Sequence, residues 1–428
     1  MIPRYDRSEI SSIWSEAQKF QFYLDVELAL ISALESKSIA PKGSADQIRK
    51  IVKIKPERVK EIEAVVHHDI IAFCTMITEQ LEADQARFFH YGVTSSDIID
   101  TSISLQIRES LKLILKEFEA FLKSIKKVID RSSDILGMGR SHGIFAEPLI
   151  FGSKFLSFYT ESLRNYVSLK QLFETELTAQ FSGAVGSYTI IDQEIEQNAA
   201  ELLDLHVEDI STQIIPRDRI ARIVNCISIA ATSIERVALE IRHLQHSDVG
   251  EVFEGFSKGQ KGSSTMPHKK NPISSENLTG MARMLRSYSQ IAMENILLWH
   301  ERDISHSSTE RLYLPDCFGL FYYSLKRMSG VLDNLVLNTE SIENKVKDNS
   351  MYLSSYYLHH LLTHTKERRV DLYKAVQEAS FSVMESEQNL YDVLLKLYPD
   401  SLLPEMNFSK LKEHYRNRFK TTLKRVFK

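Results

Sequence analysis

The chain has 428 residues, 43% of them hydrophobic, and 53 Lys+Arg stand against 57 Asp+Glu for a formal net charge of -4. That length exceeds what one hydrophobic core supports, so two or three domains are expected, and the near balance of charge argues against a general nucleic-acid or membrane-surface binder. Cys74, Cys226 and Cys317 lie far apart with no metal-type spacing, the N-terminal Arg4, Asp6, Arg7 and Glu9 stand where a signal peptide needs an apolar run, and no apolar run is long enough to span a bilayer, all of which points to a cytoplasmic protein with reduced thiols.

Apolar residues recur at helical spacing almost throughout, while glycine and proline are confined to a few junctions, so the fold class is all-α. The N-terminal region is helical, with breaks at Pro41-Lys42-Gly43 and near Pro56. His67-His68-Asp69 lies between Val65-Val66 and Ile70-Ile71 and reads as a pair of histidines on a helix surface; no further ligand falls at metal-type spacing, so it is not a metal site. Thr94-Ser95-Ser96-Asp97 reads as an N-cap with a capping-box acid three residues on. It opens a long helix, because Ile107, Leu111, Ile114, Phe118, Phe121, Ile125 and Val128 alternate steps of four and three in a coiled-coil-like seam.

Gly137-Met138-Gly139-Arg140-Ser141-His142-Gly143 superficially suggests a dinucleotide loop, but His142 takes the place of the third glycine and no strand is expected before it. What remains is a tight turn presenting His142, then Glu147-Pro148 and a helix over about 151–173. Ser211 to Arg219 reads as a loop and cap ahead of a second seam, Ile220, Ile223, Ile227, Ala231, Ile234, Ala238 and Ile241. The stretch from Gly255 to Pro272 is dense in glycine, lysine and hydroxyl groups; Asn271 is a good N-cap and Pro272 a good first helical residue, which predicts a helix N-terminus with free N–H groups facing this loop. A helix from Leu278 to Trp299 follows, then a charged stretch, His300 to Arg311, suited to a bundle end, and a third seam through Phe321, Leu325, Met328, Leu332 and Leu335. The character changes around His364 to Arg369, and the last stretch, Asn407 to Lys428, is basic and amphipathic. The expected domains are therefore residues 1–111, a central long-helix bundle over 112–364, and 365–428.

Gly262-Ser263-Ser264-Thr265-Met266-Pro267-His268-Lys269-Lys270-Asn271-Pro272 resembles the signature of the fumarase/aspartase superfamily, whose members release fumarate by β-elimination. With Arg4-Tyr5, His68-Asp69, Thr94-Ser95-Ser96-Asp97, the Gly139-to-Pro148 block, Ser211-to-Arg219 and Arg302 to Arg311, the chain most resembles the adenylosuccinate lyases. The resemblance runs from Arg4 to Arg311, with weaker identity afterwards, and implies three helical domains, a central bundle of long helices flanked by two smaller ones. It further implies a homotetramer with active sites shared between subunits, a small-molecule nucleotide substrate, and neither metal nor organic cofactor. Carried over by resemblance, Ser263 is the catalytic base, His142 the general acid, Glu276 its partner, and Lys269 with Asn271 the stabilisers of the substrate carboxylate. Arg4, Tyr5, His67, His68, Asp69, Thr94, Ser95, Gln213, Arg302, Ser307 and Arg311 would bind the substrate, and His90 matches a histidine kept near the site whose role is open. The rivals are another fumarate-releasing lyase, such as an argininosuccinate lyase or fumarase, and a non-catalytic helical scaffold. His268 and the nucleotide-type cluster speak against the first. The presence together of His142, Ser263, Lys269 and Glu276 speaks against the second.

Overall fold

The structure, a computed structural model, describes residues 2–256, 259, 265–386 and 388–428. Among them, five long helices dominate. After helices α1 (Glu16–Ser36) and α2 (Asp69–Thr78) come α3 (Ser95–Arg131), α4 (Gly152–Thr175), α5 (Asp218–Leu244), α6 (Ile273–Glu294) and α7 (Ser305–Asp333). At about 1.5 Å per residue, the 37 residues of α3 span roughly 55 Å. The periodicities read from the sequence explain why these helices hold: every residue of the three seams is buried, the most open being Ile220 at 9%.

The chain divides into two compact units. The first comprises residues 1–121, 163–235 and 277–327, the second residues 122–162, 236–276 and 328–428. Each long helix contributes residues to both. Within the first unit the helices close a ring of contacts. Phe118 of α3 meets Phe321 of α7 edge-on at 6.0 Å and Tyr166 of α4 at 5.8 Å. Asn165 of α4 donates to the Ser233 hydroxyl of α5 at 2.7 Å. Arg286 of α6 pairs with Glu235 of α5, and Tyr288 of α6 stacks on Tyr313 of α7. The edge-to-face geometry of the Phe118 contacts constrains the register of α3 against α4 and α7.

In the second unit, the stretch read as a bare turn is an antiparallel hairpin, with β1 (Leu136–Ser141) paired to β2 (Ile144–Ile150) from Leu136↔Ile150 to Ser141↔Ile144. The expectation that no strand lies here is thus corrected. The signal was masked by glycine: Gly139 sits at a register shift, where a Cβ would lie 2.8 Å from the Glu147 carbonyl, so this strand carries no alternating apolar pattern. The C-terminal stretch ends in a helix over Phe408–Val426 that buries Leu411 and Phe419 and pairs Lys412 with Glu343 at 2.9 Å. Among the described residues no helix is long and apolar enough to cross a membrane.

Phe118 is fully buried between three aromatic neighbours, so Phe118→Ala is expected to destabilise the protein by about 3–5 kcal/mol, read as a lowered urea midpoint with unchanged slope.

Candidate active site

In the first unit a cavity of about 270 Å³ opens among α1, the first turns of α3, and the start of α7. Arg302, Ser307 and Arg311 line it, as does Lys19, so four residues separated by up to 292 positions face one space. Its floor is an ionic triad. The Arg217 guanidinium, 4% exposed, donates to both Asp100 oxygens at 2.6 and 2.8 Å and to Glu310 at 3.0 Å. One cation between two buried carboxylates cannot satisfy both fully. Burial accordingly pushes Glu310 up to about 7, against the pull of Arg217 and with a further push from Asp100.

The cations at the mouth are held by neutral or single partners. Arg302 donates to the Gln213 side-chain oxygen at 2.9 Å, and Gln213 in turn donates to the Ala184 carbonyl at 2.8 Å. Gly186 permits this close loop: its φ is +76°, and a Cβ there would collide with the Ser211 carbonyl. Arg311 donates to Asp69 at 2.6 Å. Burial and the nearby Arg311 charge depress the Lys19 ammonium, and burial with the Arg217 charge drives His306 down to about 4, so that its ring is neutral. Arg302 Nε and His306 Nδ1 are buried without a hydrogen-bond partner. The unpartnered Arg302 Nε–H and two guanidinium groups around a small cavity suit a planar or tetrahedral anion.

His67 and His68 depart from the expected helix surface. The preceding helix, Pro56–Val66, ends with His67 in the left-handed region at φ 53°, and His68 caps α2, its Nδ1 accepting from the Ile71 N–H. The junction turns Asp69 toward Arg311. Thr94 and Ser95 behave as expected: α3 starts at Ser95, and Asp97 accepts from the Thr94 N–H at 2.7 Å. Burial raises Asp97 to about 7 while backbone N–H groups of Thr94, Ser182 and Gly183 pull the other way. Arg4 is exposed, and Tyr5 packs edge-on against Tyr323 at 5.3 Å, outside the cavity lining.

The second unit carries the other residues. His142 and Gly143, with φ of 53° and 82°, form the two-residue hairpin turn, which leaves the imidazole exposed at its tip. The hairpin is anchored by Arg140, which holds the buried Glu251 through two hydrogen bonds. Lys269 is exposed and Asn271 half-buried, and Glu276 is exposed in the first turn of α6. Ser263 lies outside the described residues. The helix start departs from expectation. It falls at Ile273, and Glu254 already occupies the terminus, accepting from the Ser275 N–H at 2.7 Å, its hydroxyl at 2.6 Å and the Ser274 N–H at 3.2 Å. Two of the N–H groups expected to be free, those of Ser274 and Ser275, are therefore satisfied by the chain's own carboxylate. No capping pattern signals this, because Glu254 lies 20 and 21 residues from its partners. Asp100, Arg217, His306 and Glu310 had no assigned role in the sequence; an acid one turn into a capped helix and an arginine before a seam are also what solvent-exposed positions look like.

Residues 4–286 match a family model described as a lyase. Adenylosuccinate lyase of Synechocystis sp. is 42% identical over 396 residues, 92% of either chain. The adenylosuccinate lyases of Aquifex aeolicus and Thermotoga maritima are 42% and 41% identical, again over 92% of this chain and over 91% and 92% of theirs. The chain belongs to the adenylosuccinate lyase family. Its fold is that of the wider superfamily: a fumarate lyase from Mesorhizobium sp. superposes with a TM-score of 0.84 at 22% identity, covering 93% of this chain and 91% of that one. A 3-carboxy-cis,cis-muconate lactonizing enzyme from Pseudomonas putida gives 0.85 at 21%, covering 99% and 96%.

The triad makes a pH prediction. A carboxyl raised in the folded state holds its proton longer there than when unfolded, so Glu310 contributes stability that is lost as pH climbs from about 4.5 toward 7. His306, depressed to about 4, works oppositely below its ordinary value near 6.5, since the unfolded state takes up the proton first. The informative quantity is the difference between wild type and Glu310→Gln: the wild-type protein should lose stability relative to the variant as pH rises from 4.5 to 7, measured by urea unfolding at several pH values.

Proposed function

We propose that the protein cleaves adenylosuccinate to AMP and fumarate, and succinyl-aminoimidazole-carboxamide ribotide (SAICAR) to its carboxamide (AICAR) and fumarate, as a C–N lyase of purine nucleotide biosynthesis. The observation that carries this reading is 41–42% identity to adenylosuccinate lyases over 92% of the chain, with each motif of the family in place.

The chemistry sets the residue roles. The C–H to be broken lies next to a carboxylate and is weakly acidic, so the base must act while the extra charge on that carboxylate is stabilised. Ser263 is the base, its hydroxyl activated by its surroundings when substrate is bound. Lys269 and Asn271 stabilise the carboxylate; with Glu254 on the terminus of α6, that duty rests on these side chains rather than on the helix dipole. His142 protonates the departing nitrogen, and Glu276 orients it. Arg302, Ser307 and Arg311, which line the cavity, hold the nucleotide, and the family resemblance adds His67, His68, Asp69, Thr94, Ser95, Gln213, Arg4 and Tyr5 to the substrate-binding set.

The protein works as a cytoplasmic homotetramer in which more than one copy contributes to each active site. Supporting this, Val167, Ile229, Met284 and Leu312, one on each of four long helices, are 56%, 61%, 44% and 76% exposed, which a lone bundle would leave wet.

Purified protein should release fumarate and AMP from adenylosuccinate. Ser263→Ala and His142→Ala should each lower kcat by about 10²–10⁴-fold, while Arg311→Leu should act mainly by raising KM about 10-fold, the worth of a charge-assisted hydrogen bond. An active-site mutant series with unaltered turnover would overturn the assignment of roles. A wild-type protein that leaves adenylosuccinate intact would overturn the substrate, with argininosuccinate and malate next in line.

A further inference from the structure

In the second unit one amide side chain bridges two backbone positions on either side of the signature, Glu254 before it and Lys270 within it. Gln245 follows directly on α5; its Nε2 donates to the Lys270 carbonyl at 3.0 Å, and its Oε1 accepts from the Glu254 N–H at 2.9 Å. Lys270 stands between Lys269 and Asn271, the two residues assigned to the substrate carboxylate. We propose, on the basis of the lyase activity above, that Gln245 is a positioning residue for the elimination: by fixing the Lys270–Asn271 peptide against Glu254, it sets where the flanking Lys269 and Asn271 side chains meet the carboxylate.

A hydrogen bond positions a group only if its other end is fixed, and both supports of Gln245 are. The Glu254 carboxylate accepts from the Ser274 and Ser275 N–H groups and from the hydroxyl of Ser275, which is fully buried in the first turn of α6, so the Glu254 backbone cannot shift without disturbing the start of that helix. The Gln245 N–H bonds to the Ile241 carbonyl at 2.9 Å, continuing α5 by one residue, and the Glu251 N–H bonds to the Leu244 carbonyl at 2.9 Å. Buried Glu251 is held in turn by Arg140 of the hairpin and faces Lys345 at 3.4 Å. An amide is the group this position needs, since it offers a donor and an acceptor and carries no charge. A lysine there could donate but not accept. An ionised glutamate could accept but not donate, and would add a negative charge where Glu254 already stands.

The consequence falls on the chemical step. Lys269 and Lys270 are both exposed, so packing does not fix their side chains, and the backbone bonds around them carry that duty. The Lys269 N–H bonds to the Met266 carbonyl at 3.0 Å and shapes the turn ahead of it, while Gln245 holds the peptide that follows Lys270. Charge on the substrate carboxylate grows as the C–H bond breaks, so a misplaced ammonium or amide donor costs more in the transition state than in the bound substrate. The nucleotide is assigned to Arg302, Ser307 and Arg311 of the first unit. Loss of the Gln245 amide therefore lowers kcat while leaving nucleotide affinity in place.

Two full-length variants test this against wild type: Gln245→Met, of similar length without the amide, and Gln245→Glu, which keeps only the acceptor. Three quantities are read: kcat for fumarate release from adenylosuccinate, the inhibition constant of AMP, and hydrogen exchange of the Glu254 amide in the free protein by mass spectrometry. Both variants should lower kcat about 10- to 100-fold with AMP inhibition held within about twofold, a split that general destabilisation does not produce. Exchange at Glu254 should quicken in Gln245→Met and stay slow in Gln245→Glu. Should Gln245→Met fail to fold, Gln245→Glu decides by its kcat and AMP inhibition. Variants as fast as an active wild type, a loss shared equally by kcat and AMP affinity, or unchanged Glu254 exchange in folded Gln245→Met would each overturn the role and leave the lyase activity standing. A wild type that leaves adenylosuccinate intact overturns the activity and this role together.

Discussion

The cavity of the first unit rests on one buried cation. Arg217 draws Asp100 of α3, Glu310 of α7 and, through its own position just ahead of α5, the loop from Ser211 onward to a single point. Breaking such a cluster by removing one member leaves an uncompensated charge in the interior, at a cost of about 3–5 kcal/mol, so the triad specifies arrangement more than it adds net stability. Its neighbours inherit their environment from it. His306 is kept neutral by burial and by the Arg217 charge, and the Gln213 loop, seated beside it, is placed to receive Arg302.

The second unit solves a different problem. A two-residue hairpin with both turn residues in the left-handed region holds the His142 imidazole exposed at its tip with little chain. The strands beneath are fixed by Arg140 on the buried Glu251, to which Lys345 also turns. The two carboxylates Glu251 and Glu254 thus work within four residues of each other, one anchoring the hairpin and one closing the start of α6. A helix terminus that is already closed leaves anion binding to side chains, which can differ in reach and in charge and so discriminate between substrates more finely than a dipole can.

Elimination of fumarate from a nucleotide needs both kinds of arrangement: firm recognition of a phosphate-bearing group, and exposed acid and base groups that can be enclosed at the moment of reaction. In the proposed function, Arg302 and Arg311 with their fixed partners Gln213 and Asp69 would serve the first. In the proposed function, exposed His142, Lys269 and Glu276 would serve the second.

By itself the sequence determined the helices, the family and the residue types of the site. Seams such as Ile107 to Val128 are legible because helical periodicity is a local property, and the signature around Lys269 because reactive groups at fixed spacing leave a linear trace. What only the tertiary structure decided are the partners that lie far apart in sequence. These are the occupation of the α6 terminus by Glu254, the Arg217 triad across 93 and 117 residues, and the meeting of Glu27 with His90 across 63. Each is a polar group satisfied at long range, and the requirement that buried polar groups be paired names no particular partner until the chain has folded.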